Sequence, residues 1–366
     1  MRVFTCDNCG QLVFFDNVEC LRCHSPLGYA HPRREVVALT PVGDGRLQDR
    51  GRPVRVWQRC ATGPVTGCNW LVAAPGALCE SCILTRTRPA DTDRAGMAEL
   101  VQGEMAKRRL VFQLAELGLP VVPRDPRTDT GLAFDLLSSS AVKVITGHDN
   151  GVITLDLAEA DDEHREHLRL QLNEPYRTLL GHFRHEIGHY YWPILVDRPD
   201  DLAACRALFG DDRQDYAAAV RRHYDAPADD GRSWADTSIS RYATMHPYED
   251  WAETFAHYLH ILDTLQTAES FGLGVGGVSG ASRWTRRPDV HPTRPFASQS
   301  FSDVIDHWLE LTYALNQINR SMGRDDLYPF VLAPMVIRKL AFVDATVARH
   351  SEPPAPAPAA PPRPHE

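Results

Sequence analysis

The segment Gly181-His-Phe-Arg-His-Glu-Ile-Gly-His-Tyr-Tyr-Trp192 decides how the rest of the chain is interpreted. Within it, His185, Glu186 and His189 spell the pattern H-E-x-x-H. Residues four apart lie on the same face of a helix, so two imidazoles at this spacing can bind one zinc ion. A glutamate next to the first histidine lies close enough to act as the general base of a metalloprotease. The segment therefore predicts a catalytic zinc site on a helix.

The residues around this segment predict where its helix begins and ends. Asn173 is the expected N-cap, with Pro175 in the first turn, and apolar residues then recur at helical spacing as far as Tyr191. Pro193 is expected to end the helix, because proline has no N–H to donate. The alternative is a buried helix whose histidines are hydrogen-bonded core residues.

A third zinc ligand is needed, since catalytic zinc usually takes three protein ligands and a water. The metzincin pattern is excluded, because its fixed Gly and His positions hold Trp192 and Leu195. The segment Tyr248-Glu-Asp-Trp-Ala-Glu-Thr-Phe-Ala-His-Tyr-Leu-His-Ile261 predicts an amphipathic helix. On it, Glu249 and Glu253 share a face and could approach a cation. The alternative is a solvated acidic face without a metal.

The combination of H-E-x-x-H with a distant E-x-x-A-E-x-F-A resembles the gluzincin pattern, in which a downstream helix supplies a glutamate ligand. This resemblance implies that Glu249 is the third ligand and that Glu253 orients a ligand histidine, with Glu253 as ligand left open as the alternative. Residues 1–349 also resemble a bacterial family of zinc metallopeptidases with an N-terminal zinc ribbon. The resemblance implies a hydrolase of peptide bonds and names no substrate.

Cysteines near the N-terminus form two C-x-x-C pairs, Cys6 with Cys9 and Cys20 with Cys23. Each pair can present two thiolates on a turn, and two such turns complete a tetrahedral four-cysteine zinc site. A zinc ribbon is therefore predicted here. The rival interpretation is haem attachment at Cys20-Leu-Arg-Cys23-His24, which leaves Cys6 and Cys9 unexplained.

A second group of cysteines is less regular, because Cys60 and Cys68 are eight apart while Cys79 and Cys82 form a normal pair. We expect a second four-cysteine zinc site from these residues. Two alternatives stay open at this point. The cysteines could be free and buried among apolar residues, or the two groups could exchange ligands in a cross-braced arrangement.

The chain divides into three predicted regions: a zinc-ribbon domain over 1–90, a zincin-like peptidase domain over 95–350 and a disordered Pro/Ala-rich tail over 351–366. Thr85–Asp93 is expected to be a linker. A helix is predicted over Ala95–Leu117, and a hairpin over Ser140–Thr146 and Val152–Leu157 because Asn150-Gly151 favours a tight turn. Shorter helices are predicted near 200–209 and 213–224, and closing helices over Phe301–Met322 and Pro334–His350.

Charge and composition restrict the partners and the compartment. The net charge of −9 divides into +3 over residues 1–120 and −12 over the remainder, which argues against nucleic acid as a partner. No apolar run is long enough to predict a membrane span. No signal peptide is apparent, so the expected location is the cytoplasm, where C-x-x-C pairs indicate metal more often than disulfides.

Together these features predict an α+β protein, with β zinc ribbons preceding a mainly helical zincin-like domain that contains a small β-hairpin. The expected cofactors are one catalytic zinc ion and one or two structural zinc ions. The expected substrate is a peptide or protein, and the donor to its oxyanion is open among Tyr242, His246, Tyr248 and Tyr328. The alternative function is a non-catalytic zinc-binding scaffold that binds a protein partner through its ribbons.

Overall fold

The computed structural model describes residues 2–139, 144–160, 178–225, 233–276 and 300–351. Within these ranges the first third of the chain is built of short strands and the remainder mainly of helices, so the predicted α+β class is confirmed. The strands are β1 Phe4–Thr5, β2 Leu12–Val13, β3 Leu27–Ala30, β4 Glu35–Pro41, β5 Leu47–Asp49, β6 Val56–Arg59, β7 Leu71–Val72, β8 Thr85–Thr87, β9 Ala133–Leu137, β10 Gly147–Asp149 and β11 Val152–Asp156. The α-helices are α1 Gly63–Thr66, α2 Arg94–Glu116, α3 Leu179–Leu195, α4 Pro199–Phe209, α5 Tyr216–Asp225, α6 Pro247–Ser270, α7 Phe301–Ser321 and α8 Pro334–His350.

The N-terminal strands form a hairpin, β1–β2, followed by an antiparallel sheet of order β3-β4-β5-β6-β7. The last strand returns to the first, because the Tyr29 N–H donates to the Asn69 carbonyl oxygen at 3.0 Å. Aromatic rings fill the space between hairpin and sheet, with Tyr29 4.7 Å from Trp70 and 5.0 Å from Phe15, centroid to centroid. Phe15 also packs against Phe112 of α2 at 4.9 Å. The N-terminal strands are thus packed on α2, the first long helix of the chain.

A second sheet of order β10-β11-β9-β8 precedes the H-E-x-x-H helix. The predicted hairpin is present, with Asn150 and Gly151 both at positive φ, as a type I′ turn requires. Its first strand is Gly147–Asp149, so the predicted span Ser140–Thr146 is wrong for the part that the structure describes. The predicted linker Thr85–Asp93 is also wrong at its start. At that position β8 pairs in parallel with β9, with Thr85 opposite Phe134. A local sequence pattern does not reveal a partner 49 residues away.

Helix α3 carries H-E-x-x-H, and its ends differ from the predicted ones. Asn173 and Pro175 lie outside the described residues, and the described helix has Thr178 as its N-cap, whose side chain accepts from the Gly181 N–H at 3.0 Å. Pro193 does not end the helix, which continues to Leu195. In a regular helix the amide of residue 193 would donate to the His189 carbonyl oxygen, but proline has no N–H. The Tyr248 hydroxyl donates to that carbonyl instead, at 3.3 Å.

Helices α3 and α6 pack closely because each presents a small residue at the contact. A Cβ atom added to Gly188 would lie only 3.0 Å from the Ala252 Cα. Ala252 lies between Glu249 and Glu253 in the sequence, so this contact faces the acidic pair of α6 toward the histidines of α3.

A buried arginine connects these two helices to α2. Arg184 donates to Gln113 Oε1 at 3.1 Å and to Asp263 Oδ2 at 2.6 Å, and its Nη1 donates to His260 Nδ1 at 2.6 Å. Gln113 in turn donates to the Leu259 carbonyl oxygen at 2.6 Å. The network fixes the relative position of α2, α3 and α6.

The predicted closing helices are present as α7 and α8, and the predicted short helices as α4 and α5. The predicted tail lies outside the described residues beyond Ser351. Among the helices in the described ranges, none combines the length and apolar character needed to span a bilayer.

Candidate metal centre and cysteine sites

His185, His189 and Glu249 converge at the floor of a cleft, and we call these three the cleft cluster. The two Nε2 atoms are 3.2 Å apart, and Glu249 Oε2 lies 3.0 Å from His185 Nε2 and 3.4 Å from His189 Nε2. Three donors bound tetrahedrally to one zinc ion would be about 3.3 Å apart, given zinc–nitrogen and zinc–oxygen distances of about 2.0–2.1 Å. The spacing of the donor atoms therefore fits zinc.

Glu253 occupies the other side of His185. The His185 Nδ1–H donates to Glu253 Oε1 at 2.8 Å, and the Ser240 hydroxyl donates to Glu253 Oε2 at 2.6 Å. Although burial opposes ionisation of Glu253, the hydrogen bond from His185 lowers its pKa to about 2. The carboxylate of Glu253 holds a proton on His185 Nδ1. When the ring is neutral, its other nitrogen, Nε2, carries no proton and faces Glu249. Of the two assignments that the sequence left open, this geometry favours Glu249 as ligand and Glu253 as its orienting partner.

Glu186 is buried beside the cluster, with 7% of its surface exposed. Its Oε2 atom has no hydrogen-bond partner among the described residues, although an unpaired buried carboxylate oxygen is costly. Burial raises the pKa of Glu186 above its ordinary value. A buried carboxylate beside a three-donor cluster, with one oxygen that no described residue engages, has the properties that a general base requires.

The cleft above these residues has a volume of about 480 Å³. Its walls come from β10, α3, the segment 212–216 and the start of α6. The lining residues are Thr146, Gly147, His148, His185, Glu186, His189, Trp192, Asp212, Gln214, Tyr216, Tyr242, His246, Tyr248 and Glu249. An aromatic wall with a few polar groups is typical of a ligand-binding site.

The four residues considered as oxyanion donors occupy different positions. Tyr328 lies in the core, where its hydroxyl bonds to His257 Nδ1 at 2.7 Å. His246 is the N-cap of α6, with Nδ1 accepting from the Tyr248 amide and Nε2 donating to the Gln214 carbonyl oxygen, both at 3.1 Å. The Tyr248 hydroxyl is engaged with His189, as described above. Tyr242 remains the best placed of the four, in the cleft wall beside His185 at 5.8 Å between ring centroids.

The first four cysteines form one group, the N-terminal cluster of Cys6, Cys9, Cys20 and Cys23. Their sulfur atoms are 3.8 Å apart between Cys6 and Cys23 and 3.6 Å apart between Cys9 and Cys20. Four sulfur atoms bound to zinc at about 2.3 Å would be about 3.8 Å apart, so this set fits zinc. The use of all four residues in one cluster argues against haem attachment at Cys20 and Cys23.

The other four cysteines, Cys60, Cys68, Cys79 and Cys82, form the junction cluster where the ribbon region meets α2. All four are buried, and the Sγ atoms of Cys68 and Cys79 are 3.7 Å apart, again the spacing expected around zinc. The two clusters do not exchange ligands, so the cross-braced alternative is wrong. The grouping of four sulfur atoms also argues against cysteines that are simply buried as apolar residues.

Helix α2 supplies charged side chains to the junction cluster. Glu104 Oε2 lies 3.9 Å from the Cys82 sulfur. Glu104 Oε1 accepts a hydrogen bond from Nζ of the fully buried Lys107 at 2.9 Å. Arg108 is buried within electrostatic range of Cys68. Two of its nitrogens, Nε and Nη1, have no hydrogen-bond partner among the described residues. A four-thiolate zinc site carries two net negative charges, which these orphaned N–H groups would face.

Sequence reasoning did not identify several residues of the cleft. His148 reaches it from β10, Ser240 bonds to Glu253, and the Tyr216 hydroxyl donates to Glu249 Oε1 at 2.8 Å. None of them belongs to a motif of fixed spacing, since each lies on a separate segment of the chain. Only the position of His148 beside the predicted turn Asn150-Gly151 could have suggested a side chain at the cleft.

Comparisons with known proteins agree with this arrangement. Residues 97–346 match the family described as "Putative zinc-binding metallo-peptidase", and residues 3–93 match a zinc-ribbon domain. Uncharacterized proteins of Mycobacterium bovis and of two strains of Mycobacterium tuberculosis are 49% identical to the chain over 350 residues, which is 95% of this chain and of each relative. No solved structure matches the chain. The chain therefore belongs to this family of zinc-binding metallo-peptidases, with a zinc-ribbon domain in front of the peptidase region.

Proposed function

We propose that the protein is a zinc-dependent metallopeptidase that hydrolyses peptide bonds with Glu186 as general base. The observation that carries this proposal is the buried Glu186 side chain, whose Oε2 has no hydrogen-bond partner among the described residues, beside a cluster of three donors in an open cleft. A purely structural zinc site has four protein ligands and needs no such carboxylate.

Each of the cleft residues has a separate role in the proposed hydrolysis. Zinc held by His185, His189 and Glu249 would supply Lewis acidity, polarising a carbonyl and lowering the pKa of a bound water. Glu186 Oε2 takes the proton of the attacking water and delivers it to the leaving amine nitrogen. Glu253 keeps the His185 proton on Nδ1, so that Nε2 stays available as a donor atom.

An extended peptide or protein segment is the substrate that the cleft geometry favours. Strand β10 is an edge strand of its sheet within the described residues, and Gly147 and His148 line the cleft. A peptide can add to such an edge through main-chain hydrogen bonds, while the aromatic wall of Trp192, Tyr242 and Tyr248 accommodates its side chains. This pairing would hold the scissile bond over the cleft cluster.

We further propose a total of three zinc ions, one in the cleft and one in each cysteine cluster. Both cysteine clusters require reduced thiols, and all nine cysteines of the chain are free, which favours a reducing compartment such as the cytoplasm. Metal quantification of fresh protein should return three zinc ions per chain. One zinc ion or none would contradict the assignment.

The decisive experiment replaces Glu186 with glutamine, which has nearly the same shape but cannot accept the proton. E186Q should keep all its zinc and its thermal stability, while cleavage of a peptide library falls about 10²–10⁴-fold. Glu310→Gln, on the remote helix α7, is the matched control and should cleave at the wild-type rate. Cleavage by E186Q at the wild-type rate would refute the mechanism.

A second candidate function, a non-catalytic binding protein, is favoured by one observation. The N-terminal hairpin and its cysteine turns expose large apolar side chains, with Leu12 53%, Phe14 50% and Leu21 86% exposed. Exposed apolar groups in proximity are common at protein-binding surfaces. If the zinc-loaded wild type cleaves no peptide but binds a protein partner through residues 1–90, this second function replaces the first.

A further inference from the structure

The two oxygen atoms of the Glu249 carboxylate have different environments. Oε2 lies 3.0 Å from His185 Nε2 and 3.4 Å from His189 Nε2. Oε1 accepts a hydrogen bond from the Tyr216 hydroxyl at 2.8 Å. The phenol must be the donor, because an ionised carboxylate can only accept. One oxygen of Glu249 is thus turned toward the donor cluster, and the other is held away from it.

Tyr216 is held in place by contacts of the segment that leads into α5. The Gln214 carbonyl oxygen accepts from His246, the N-cap of the helix that carries Glu249. Asp212 binds Arg206 of α4 at 2.5 Å, and Asp215 accepts from the Ala218 amide at 3.0 Å at the start of α5. The first of these contacts connects the segment to α6, and the other two hold it against α4 and at the start of α5. The Tyr216 hydroxyl is therefore preorganised for Glu249 before any ligand enters the cleft.

We propose that Tyr216 is a positioning residue that restricts Glu249 to binding the metal through one oxygen only. With Oε1 engaged by the phenol, the cleft cluster presents three donor atoms and leaves a fourth direction free for water or substrate. Without the phenol, the carboxylate can rotate about its terminal torsion and offer both oxygens. The second oxygen would then occupy the free direction, and the carboxylate would lose conformational freedom when it binds metal.

The inference rests on the proposed zinc site, and its test measures metal binding and not hydrolysis. In Y216F the zinc dissociation constant of the cleft, measured by chelator competition, should rise about 10–100-fold, as is usual when a partner of a ligand is removed. The cysteine-bound zinc should not change. After a chelator has removed only the cleft zinc, cobalt(II) loaded there should absorb more weakly in Y216F, because its coordination number increases.

Y224F is the matched control, since Tyr224 lies on the same helix with 64% of its surface exposed. It should keep both the wild-type dissociation constant and the wild-type cobalt spectrum. Tyr216 itself is 44% exposed, so removal of its hydroxyl should leave the fold intact, and circular dichroism melts check this. A wild-type value for Y216F in either measurement overturns the proposal. A protein that shows both shifts but cleaves no peptide keeps this role for Tyr216 while the proposed peptidase function fails.

Discussion

The junction cluster and the cleft cluster arrange potential metal ligands in opposite ways. In the junction cluster, four buried cysteines supply a complete ligand set, and helix α2 covers them. In the cleft cluster, three donors converge at the floor of an open cavity of about 480 Å³. If both clusters bind zinc, the first has no ligand position left for another molecule, whereas the second keeps one open, as structural and catalytic zinc sites do respectively.

The two clusters also differ in the charged side chains that lie beside them. Arg59 and Arg108 lie within electrostatic range of the junction cysteine Cys68, where they can offset the negative charge of four thiolates. The cleft has the additional acid Glu186, whose Oε2 has no partner within the part of the chain that the structure describes. Positive charge thus lies beside the first cluster, whereas the second has a further acidic side chain beside it, as expected if only the second moves protons.

The largest expected effect is the loss of the fold when the junction cluster is broken. Cys79→Ser removes a ligand, and structural zinc contributes roughly 10 kcal/mol or more of binding free energy to folding. Thermal unfolding followed by circular dichroism should show no cooperative transition. Cys205→Ser, at an equally buried cysteine outside both clusters, is the control and should still unfold cooperatively. A cooperative, wild-type-like melt for Cys79→Ser would show that the junction cluster does not stabilise the fold.

Removal of the arginine that connects α2, α3 and α6 should have the next largest effect. Arg184→Met leaves Asp263 without its guanidinium partner and should lower the free energy of unfolding by about 3–5 kcal/mol. Urea titration of the zinc-loaded protein gives this value. Arg213→Met, which breaks an exposed pair with Asp211, should cause no measurable change. Equal urea midpoints for the two variants would mean that the buried network adds nothing to stability.

A smaller effect is expected where α3 and α6 touch. Gly188→Ala places a methyl group 3.0 Å from the Ala252 Cα and should cost about 1–3 kcal/mol. Helix propensity alone would favour alanine by about 1 kcal/mol, so the sign of the change tests the contact directly. We also expect weaker zinc binding in the cleft, because the helices that carry its ligands move apart. A stabilised Gly188→Ala protein would contradict the close packing.

The smallest effect on the fold should follow from changes at the cleft acids. Glu249→Ala should abolish zinc binding in the cleft, while the protein without cleft zinc should still unfold cooperatively. Glu253→Ala should weaken zinc binding about 10–100-fold without abolishing it. Zinc titration with a competing chelator measures both variants. The reverse order would make Glu253 the ligand, and loss of the fold in Glu249→Ala would remove the distinction between the two clusters.

The sequence alone determined the parts of the molecule that depend on local spacing. Helical periodicity gave α2 to within one residue at each end, and gave the bounds of α8 as the structure has them. The positions of His185 and His189 on one helix face, and the pairing of Cys6 with Cys9, follow from the geometry of a single helix or turn. The hairpin turn at Asn150-Gly151 belongs to the same group, because its backbone requires positive φ at both residues.

Only the tertiary structure decided the features that join distant segments. Glu249 and Glu253 are equivalent in the sequence, since both lie on one face of α6. The close contact of Gly188 with Ala252 directs Glu249 to Nε2 of His185 and Glu253 to Nδ1. Tyr216 reaches Glu249 from α5, through a contact between distant segments that no local pattern reveals. A local pattern fixes which residues share a face, but the crossing of two helices fixes which atoms on that face meet, and that crossing depends on contacts far apart in the chain.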